Sequence, residues 1–116
     1  MKDITINGKT YSVVFDLQTM INYENITGRS FFGENFNLMH NRIALLIAAI
    51  ISANKDADID SGELIKKANV KTFKEIIFAF NVVMDMVGKF FEIPNIEPKE
   101  EKSESEPKDS GENKKN

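Results

Sequence analysis

The segment from residue 75 to residue 94, EIIFAFNVVMDMVGKFFEIP, constrains the fold most, because it carries more apolar side chains than one helix face can hold. Pro94 and Pro98 prevent the helix from continuing, so the pattern predicts a last helix from about Phe73 to Phe91. At about 100° per residue, one apolar stripe is sufficient to anchor this helix on a core. The stripe consists of Phe73, Ile76, Ile77, Phe80, Val83, Met84, Val87 and Phe91.

A second apolar row lies on the flank and back of the same predicted helix, among charged side chains. Its members stand four residues apart, and they are Phe78, Val82, Met86 and Phe90. Burial would contribute about 1.5–3 kcal/mol for each large side chain, and monomers rarely leave such a patch in water. The row either packs on the hairpin and loop phenylalanines of its own chain or binds a second copy or a client helix. We favour partner binding, because a domain of this size has few elements left to cover the row.

The N-terminal residues predict a β-hairpin. The dipeptide Asn7-Gly8 favours a two-residue type I′ turn, and apolar residues alternate with polar ones on both sides of it. We expect one face of this hairpin to lie on the core. The residues on that face are Ile4, Ile6, Tyr11, Val13 and Phe15.

Two long helices are predicted after the hairpin. Asp16 is a suitable N-cap for the first, and Gly28 is a suitable C-terminal stop. The apolar residues of this first helix are Leu17, Met20 and Ile21. The second helix is predicted from Asn35 to about Ala53, and its nearly all-round apolar surface places it in the middle of the domain. One face of it carries Phe36, Met39, Ile43, Leu46, Ile47 and Ile50.

Shorter elements connect these helices. Phe31 and Phe32, in the loop between the first two helices, are expected to turn back onto the core. Asp60 and Glu63 have the spacing of a capping box, which predicts a short helix. The inward residues of that helix are predicted to be Leu64, Ile65 and Ala68. Thr72 is then a suitable cap for the last helix.

These elements predict a mainly α-helical protein with a small N-terminal β-hairpin. Three long helices and one short helix form a compact domain over residues 1–93. The segment 97–116 contains seven acids and five lysines but no aliphatic or aromatic residue. Such a composition buries too little apolar area to offset the entropy of ordering. Residues 94–116 are therefore predicted to be a disordered charged tail.

Composition argues against several classes of function. The absence of cysteine excludes disulfides, thiolate catalysis and zinc–sulfur sites. The longest apolar run, residues 43–51, is far shorter than the roughly 20 residues that cross a bilayer, so no membrane contact is expected. The N-terminus lacks the apolar region of a signal peptide, which favours a cytoplasmic protein. The net charge of −3 falls to −1 without the tail, which argues against nucleic acid as a partner.

No catalytic, cofactor-binding or metal-binding residue is predicted. His40 is the only histidine, and no Gly-rich phosphate loop or nucleophile motif is present. Residues 56–60 have the D-x-D-x-D spacing of a calcium loop. However, Ser61 stands where that loop needs glycine, and Lys67 stands where it needs a bidentate glutamate. We therefore expect a protein that is not an enzyme and has no cofactor.

The first 32 residues follow a recognisable plan. It consists of I-T-I-N-G-K-x-Y at residues 4–11, an apolar strand ending in Phe15-Asp16, and a helix that closes on T-G-R-S at residues 27–30. An apolar helix, a polar loop with DIDSGEL, a final helix and a charged end follow. Over about residues 3–92 this plan resembles the tail assembly chaperones of long-tailed bacteriophages. Members of that family often have a more acidic last helix, rich in Leu and Ala, whereas this one is rich in Phe and Ile.

The resemblance implies a non-enzymatic role in the host cell cytoplasm. The implied partner is the tape measure protein, a long apolar helical chain that is kept soluble until the tail tube protein polymerises around it. A homo-oligomer is also expected. In this family a programmed −1 frameshift often yields a longer form, and the codons for residues 114–116, Lys-Lys-Asn, are compatible with an A-rich slippery sequence.

Two alternatives differ in their partners. The protein is a structural tail or neck component if it remains in the finished virion. It is a small nucleic-acid-binding regulator if the lysines that bracket the turn before the last helix contact RNA or DNA. Those lysines are Lys66, Lys67, Lys71 and Lys74.

Overall fold

The computed structural model describes residues 1–67 and 69–92, which form a two-stranded antiparallel hairpin followed by four helices. The elements are β1 (Lys2–Ile6), β2 (Lys9–Val13), α1 (Leu17–Thr27), α2 (Met39–Ala53), α3 (Ser61–Leu64) and α4 (Val70–Phe91). The predicted fold class, a hairpin with three long helices and one short one, is confirmed. The predicted tail, residues 94–116, lies outside the described residues.

The hairpin forms as predicted. Ile6 pairs with Lys9, so Asn7 and Gly8 are the two turn residues. Their φ angles are 55° and 78°, and two positive values are the requirement of a type I′ turn. Four of the five residues predicted to face the core are buried, and Tyr11 is half-buried. The four are Ile4, Ile6, Val13 and Phe15.

The two ends of α1 are confirmed. Asp16 accepts a hydrogen bond from the backbone N–H of Thr19, whose side chain accepts one from the N–H of Asp16, so the pair forms a capping box. Gly28 ends the helix with a φ of 73°, and its N–H donates to the carbonyl of Glu24 over 2.7 Å. Glycine is favoured at this left-handed position, because it has no Cβ to clash.

Met20 is the one buried residue among the three apolar residues named for α1. Leu17 and Ile21 are exposed, and α1 instead turns a more polar face toward α2. The Thr19 hydroxyl, which is completely buried, donates to the Ser52 hydroxyl over 2.9 Å and thereby fixes this orientation. The residues of α1 that are buried are Thr19, Met20 and Tyr23.

The start of α2 differs from the prediction. The helix begins at Met39, not at Asn35. The Asn35 side chain accepts a hydrogen bond from the N–H of Asn37 over 2.9 Å, and its carbonyl accepts one from the N–H of Leu38. Asparagine commonly forms such local turns in competition with a helix. The residues just before Met39 that were predicted to be helical therefore form a turn.

The core is built around α2, as predicted. Every residue from 43 to 50 is buried, and α2 contacts α1, β2 and α4. Phe31 also lies in the core, but Phe32 is exposed, so only the first of the two loop phenylalanines turns inward as predicted.

The short helix α3 is a single turn. The Asp60 carboxylate accepts a hydrogen bond from the N–H of Glu63 over 3.0 Å, so Asp60 is the N-cap, but among the described residues only this half of the predicted capping box is found. Leu64 is completely buried, as predicted. Ile65 is 44% exposed, however, because the helix ends at Leu64 and the chain turns away. Ala68 lies outside the described residues.

The last helix, α4, starts at Val70, three residues before the predicted Phe73. Its cap is Asn69, not Thr72, because the Asn69 side chain accepts a hydrogen bond from the N–H of Thr72 over 2.9 Å. Its end at Phe91 is confirmed. In the part of the chain that the structure describes, no helix has both the length and the apolarity to span a membrane.

Asn7 joins the hairpin to the helices. Its backbone N–H donates to Glu75 over 2.9 Å, and its side-chain amide donates to the carbonyl of Leu64 over 3.1 Å. Its side-chain oxygen accepts a hydrogen bond from the Thr72 hydroxyl over 2.6 Å. A turn-forming residue thus also fixes the hairpin to the end of α3 and the start of α4.

Candidate helix-binding surfaces

The row predicted to bind a partner does not lie on one face of the protein. Phe78 is 66% exposed, whereas Val82, Met86 and Phe90 are half-buried against the core. Residues four apart on an α-helix advance by about 40° around its axis, so such a row turns gradually from solvent toward the core. Phe90 reaches an edge-to-face contact with Phe15, 5.4 Å between ring centroids. Only the first residue of the row presents most of its side chain to solvent.

Only half of the residues in the stripe predicted to anchor α4 are buried. Ile76, Phe80, Val83 and Val87 are buried as predicted. The remaining four residues form what we call the α4 flank. They are Phe73 and Phe91, each 51% exposed, and Ile77 and Met84, both half-buried.

The α4 flank lies at the margin of the contact with the core. The buried face of α4 centres near Val83, and the flank residues lie roughly 80–120° around the axis from this centre. The prediction that all eight stripe residues anchor α4 is therefore wrong for Phe73 and Phe91. A continuous apolar edge along α4 stays accessible.

Phenylalanines extend this edge at the C-terminal end of α4. Phe91 packs against the exposed Phe32, with 6.0 Å between ring centroids, and against Phe90, with 5.0 Å. Phe32 in turn contacts the buried Phe31. The loop between α1 and α2 therefore adds an aromatic side chain to the exposed surface next to α4.

A groove of about 680 Å³ lies over α2. Its floor is made by Ile43, Ala44 and Ile47, all of them buried. Ile26 of α1 forms one wall and Ile65, just after α3, forms another. These two wall residues are 43% and 44% exposed, so the groove is open to the surface. The other lining residues are Thr27, Arg29, Met39, His40, Ile51, Ile59, Asp60 and Ser61.

The groove exists because α2 is apolar on nearly all sides and its neighbours are too short to cover it. α1 has 11 residues against the 15 of α2, and α3 has only four. The stretch of α2 that lines the groove runs from Met39 to Ile51, about 18 Å at 1.5 Å per residue. This length corresponds to about three turns of a bound helix.

The two ends of the groove differ in charge. Arg29 and His40 lie near the start of α2. Asp60 lies near the end of α2, because the preceding Ile59 also lines a smaller cavity together with Asn54. One end therefore carries the Arg29 guanidinium, which is ion-paired with Glu34, and the other carries the Asp60 carboxylate.

A hydrogen-bonded cluster holds Arg29 in place. Its guanidinium pairs with Glu34, 3.0 Å from Nη2 to Oε1, and donates to the Asn41 side-chain oxygen over 2.6 Å. The Tyr23 hydroxyl also donates to Glu34. Hydrogen bonds from Arg29 and then from Tyr23 lower the pKa of the Glu34 carboxyl, so it stays charged at neutral pH. Burial, and next the Glu34 carboxylate, raise the pKa of Tyr23, so its hydroxyl remains a donor.

The sequence does not reveal the groove as a site. Ile43 and Ile47 are predicted on the core face of α2, Ile65 is predicted to point inward, and Ile26 has no predicted role. A signal was present, since α2 is apolar on more sides than α1, α3 and α4 cover. The groove is open and mainly apolar, and surfaces of this kind can receive an apolar ligand or helix. In the described residues no three His, Asp or Glu side chains are grouped as metal ligands would be.

No protein-family model, no curated protein and no solved structure matches the chain.

Proposed function

We propose that this protein is a tail assembly chaperone of a long-tailed bacteriophage. In the host cytoplasm it binds the tape measure protein and keeps it soluble until the tail tube protein polymerises around it. The observation that carries this proposal is the open groove of about 680 Å³ with an aliphatic floor and half-exposed isoleucine walls. An apolar groove of this kind favours a partner that covers it, and the plan of residues 4–32 indicates which partner.

The groove suits a short segment of a long helical client. About three turns of helix fit along it, and such a segment offers a few apolar side chains at helical spacing. One contact of this size is weak. Many copies along one tape measure protein hold it together by avidity, and each copy remains easy to displace when the tube assembles.

The predicted row is a second contact surface for the client. Phe78 offers the most exposed side chain of the four, and Val82, Met86 and Phe90 are half-buried. A client helix in the groove contacts α2, whereas a client helix at the row contacts α4.

The experiment uses a matched pair of substitutions on α1. Ile26 and Ile21 are the same residue type on the same helix and are each 43% exposed, but only Ile26 lines the groove. Ile26→Glu and Ile21→Glu are each co-expressed with the tape measure protein, the product of the long reading frame expected beside this gene. The measurement is the fraction of tape measure protein that stays soluble and co-purifies.

Ile26→Glu is expected to weaken binding at least about tenfold, because the client would bury an unpaired carboxylate. Ile21→Glu and the unchanged protein are expected to keep the client soluble. Equal binding by all three proteins would exclude the groove as the client site. A stoichiometric amount of this protein in purified virions would instead support a structural tail or neck component.

A further inference from the structure

The outer edge of β2 has unused backbone hydrogen-bonding groups. Facing residues of an antiparallel pair alternate between hydrogen-bonded and non-hydrogen-bonded pairs. Ile6 and Lys9 flank the two-residue turn and form a hydrogen-bonded pair, so the backbone N–H and C=O groups of Thr10 and Ser12 point away from β1. Within residues 1–67 and 69–92, no hydrogen bond is found to these outward backbone groups of Thr10 and Ser12.

Helix α2 lies on this same side of β2 but closes only the end of the edge. Two residues after Ser12, the alternation points the N–H of Val14 outward, and it donates to the carbonyl of Ala49 in α2 over 3.3 Å. The edge is therefore occupied at Val14 and unpaired at Thr10 and Ser12. An unpaired strand edge is a template on which a further strand can pair.

A cavity of about 480 Å³, which we call the β2 cleft, borders the unpaired part of the edge. Residues Lys9–Ser12 all line it. Successive side chains of a strand point to opposite faces, so four consecutive lining residues indicate that the edge of β2, not one of its faces, forms this wall. The rest of the lining is mainly apolar and includes Ile50, Ala53, Ala57 and Ile59.

The backbone groups of the β2 cleft favour an extended segment over a helix. An α-helix satisfies its own backbone groups and gains nothing from those of Thr10 and Ser12, whereas a strand can exchange up to four hydrogen bonds with them. In an antiparallel pair, the residues opposite Thr10 and Ser12 place their side chains on the same outer face as these two. The intervening side chains point to the inner face, on which Tyr11 and Val13 lie.

The lining also indicates the composition of the segment. The mainly apolar lining favours apolar residues at the inward positions. Asp58 lines the cleft, is exposed, and has no ion-pair partner among the described residues. A lysine or arginine at one of the outward positions would therefore complement its charge.

We propose that the β2 cleft binds an extended segment of a partner protein as an antiparallel third strand. The segment alternates apolar and polar residues and carries one basic residue. The four residues Lys9–Ser12 span about 13 Å, so about five residues of the partner take part. This inference goes beyond the proposed function, because neither the α2 groove nor α4 takes part.

The probe is the blocked synthetic peptide acetyl-Val-Lys-Val-Thr-Val-amide, titrated into the isotope-labelled full chain and followed by amide NMR. Two further peptides each carry two N-methyl groups. In one peptide these are on the second and fourth residues, whose N–H groups face β2 in the proposed strand. In the other they are on the third and fifth residues, whose N–H groups face away.

The unmethylated peptide is expected to shift the amide signals of Thr10 and Ser12 with a Kd of roughly 0.1–1 mM. The peptide methylated on the third and fifth residues is expected to bind similarly. The peptide methylated on the second and fourth residues is expected to bind at least about tenfold more weakly, because two hydrogen bonds to β2 are lost.

Ser12→Pro and Asp3→Pro are a matched pair of protein variants. The two residues face each other in the hairpin, and both backbone N–H groups lie outside the β1–β2 ladder. Each substitution also removes the same hydrogen bond, from the Ser12 hydroxyl to the Asp3 carboxylate. Ser12→Pro is expected to weaken peptide binding at least about fivefold, because proline has no N–H to donate. Asp3→Pro changes the β1 edge and is expected to bind like the unchanged protein.

No shift of the Thr10 and Ser12 signals at about 2 mM peptide would overturn the proposal. Equal binding of the two methylated peptides would also overturn it. Shifts centred on Asp3 and Thr5 would place the peptide on the β1 edge instead. Shifts of Thr10 and Ser12 that appear when the protein alone is concentrated would make a second copy the occupant. Ile26→Glu is expected to bind the peptide like the unchanged protein, so its client binding tests the proposed function separately.

Discussion

Replacing Tyr23 by phenylalanine tests the cluster that holds Arg29 at one end of the groove. Tyr23 is completely buried, and its ring contacts Phe31 and Phe36 at centroid distances of 6.0 and 5.8 Å. The substitution keeps these ring contacts and removes only the hydroxyl that donates to Glu34. The change therefore isolates one hydrogen bond.

The expected cost is about 1.5 kcal/mol of unfolding free energy. This is the lower end of the range for a hydrogen bond to a charged acceptor, because Glu34 keeps Arg29 as a partner. For a domain of this size the loss corresponds to a fall in Tm of roughly 6–12 °C. Urea unfolding followed by circular dichroism measures it. Tyr11→Phe is the matched control, since within residues 1–67 and 69–92 no partner is found for the Tyr11 hydroxyl.

The difference in unfolding free energy between Tyr23→Phe and the unchanged protein depends on pH. Glu34 has a lowered pKa in the folded state, so its contribution is present above the unfolded pKa of about 4.3 and is lost as pH falls through the folded pKa. The stability difference is therefore expected to shrink in acid. This account would be refuted if Tyr23→Phe lost as little unfolding free energy at pH 7 as Tyr11→Phe. It would also be refuted if the difference in unfolding free energy between Tyr23→Phe and the unchanged protein grew in acid.

Two further comparisons test the packing and the backbone. Phe80→Ala is expected to lower the unfolding free energy by about 3–5 kcal/mol, because Phe80 is buried. Phe78→Ala is expected to lower it by less than about 0.5 kcal/mol, because Phe78 is exposed. Equal losses for the two variants in urea unfolding would contradict the orientation of α4. Gly28→Ala is expected to cost about 1–2 kcal/mol, because its φ is 73°. Gly88→Ala is expected to stabilise α4 by about 0.5–1 kcal/mol, since a Cβ at this position meets open space. Thermal unfolding measures the opposite effects of Gly28→Ala and Gly88→Ala.

Local signals predicted most of the fold. The turn at Asn7-Gly8, the cap at Asp16 and the stop at Gly28 each depend on the residue itself and its near neighbours. Tertiary contacts confirm these features without altering them. Prediction failed where an asparagine has a local alternative, because Asn35 forms a turn where helix was expected and Asn69 caps α4 ahead of Thr72.

The candidate site was harder to predict, because three separate segments build it. The groove is lined by Ile26 of α1, Ile47 of α2 and Ile65 after α3. The sequence pattern of any one of these segments does not reveal that the three residues line the same groove. The helical periodicity of the α4 sequence did predict an excess of apolar surface. It did not predict which part stays accessible, because the direction from which the core contacts α4 depends on α2 and β1.

The junction at Asn7 has a consequence for synthesis. Its three partners lie 57 to 68 positions later in the chain. At roughly 5–20 residues per second, a nascent turn waits several seconds before those partners leave the ribosome. Until then the hairpin has only α2 to pack on, through the contact between α2 and β2. A fragment that ends before Thr72 lacks two of the three partners of Asn7, and β1 lacks its contact with α4.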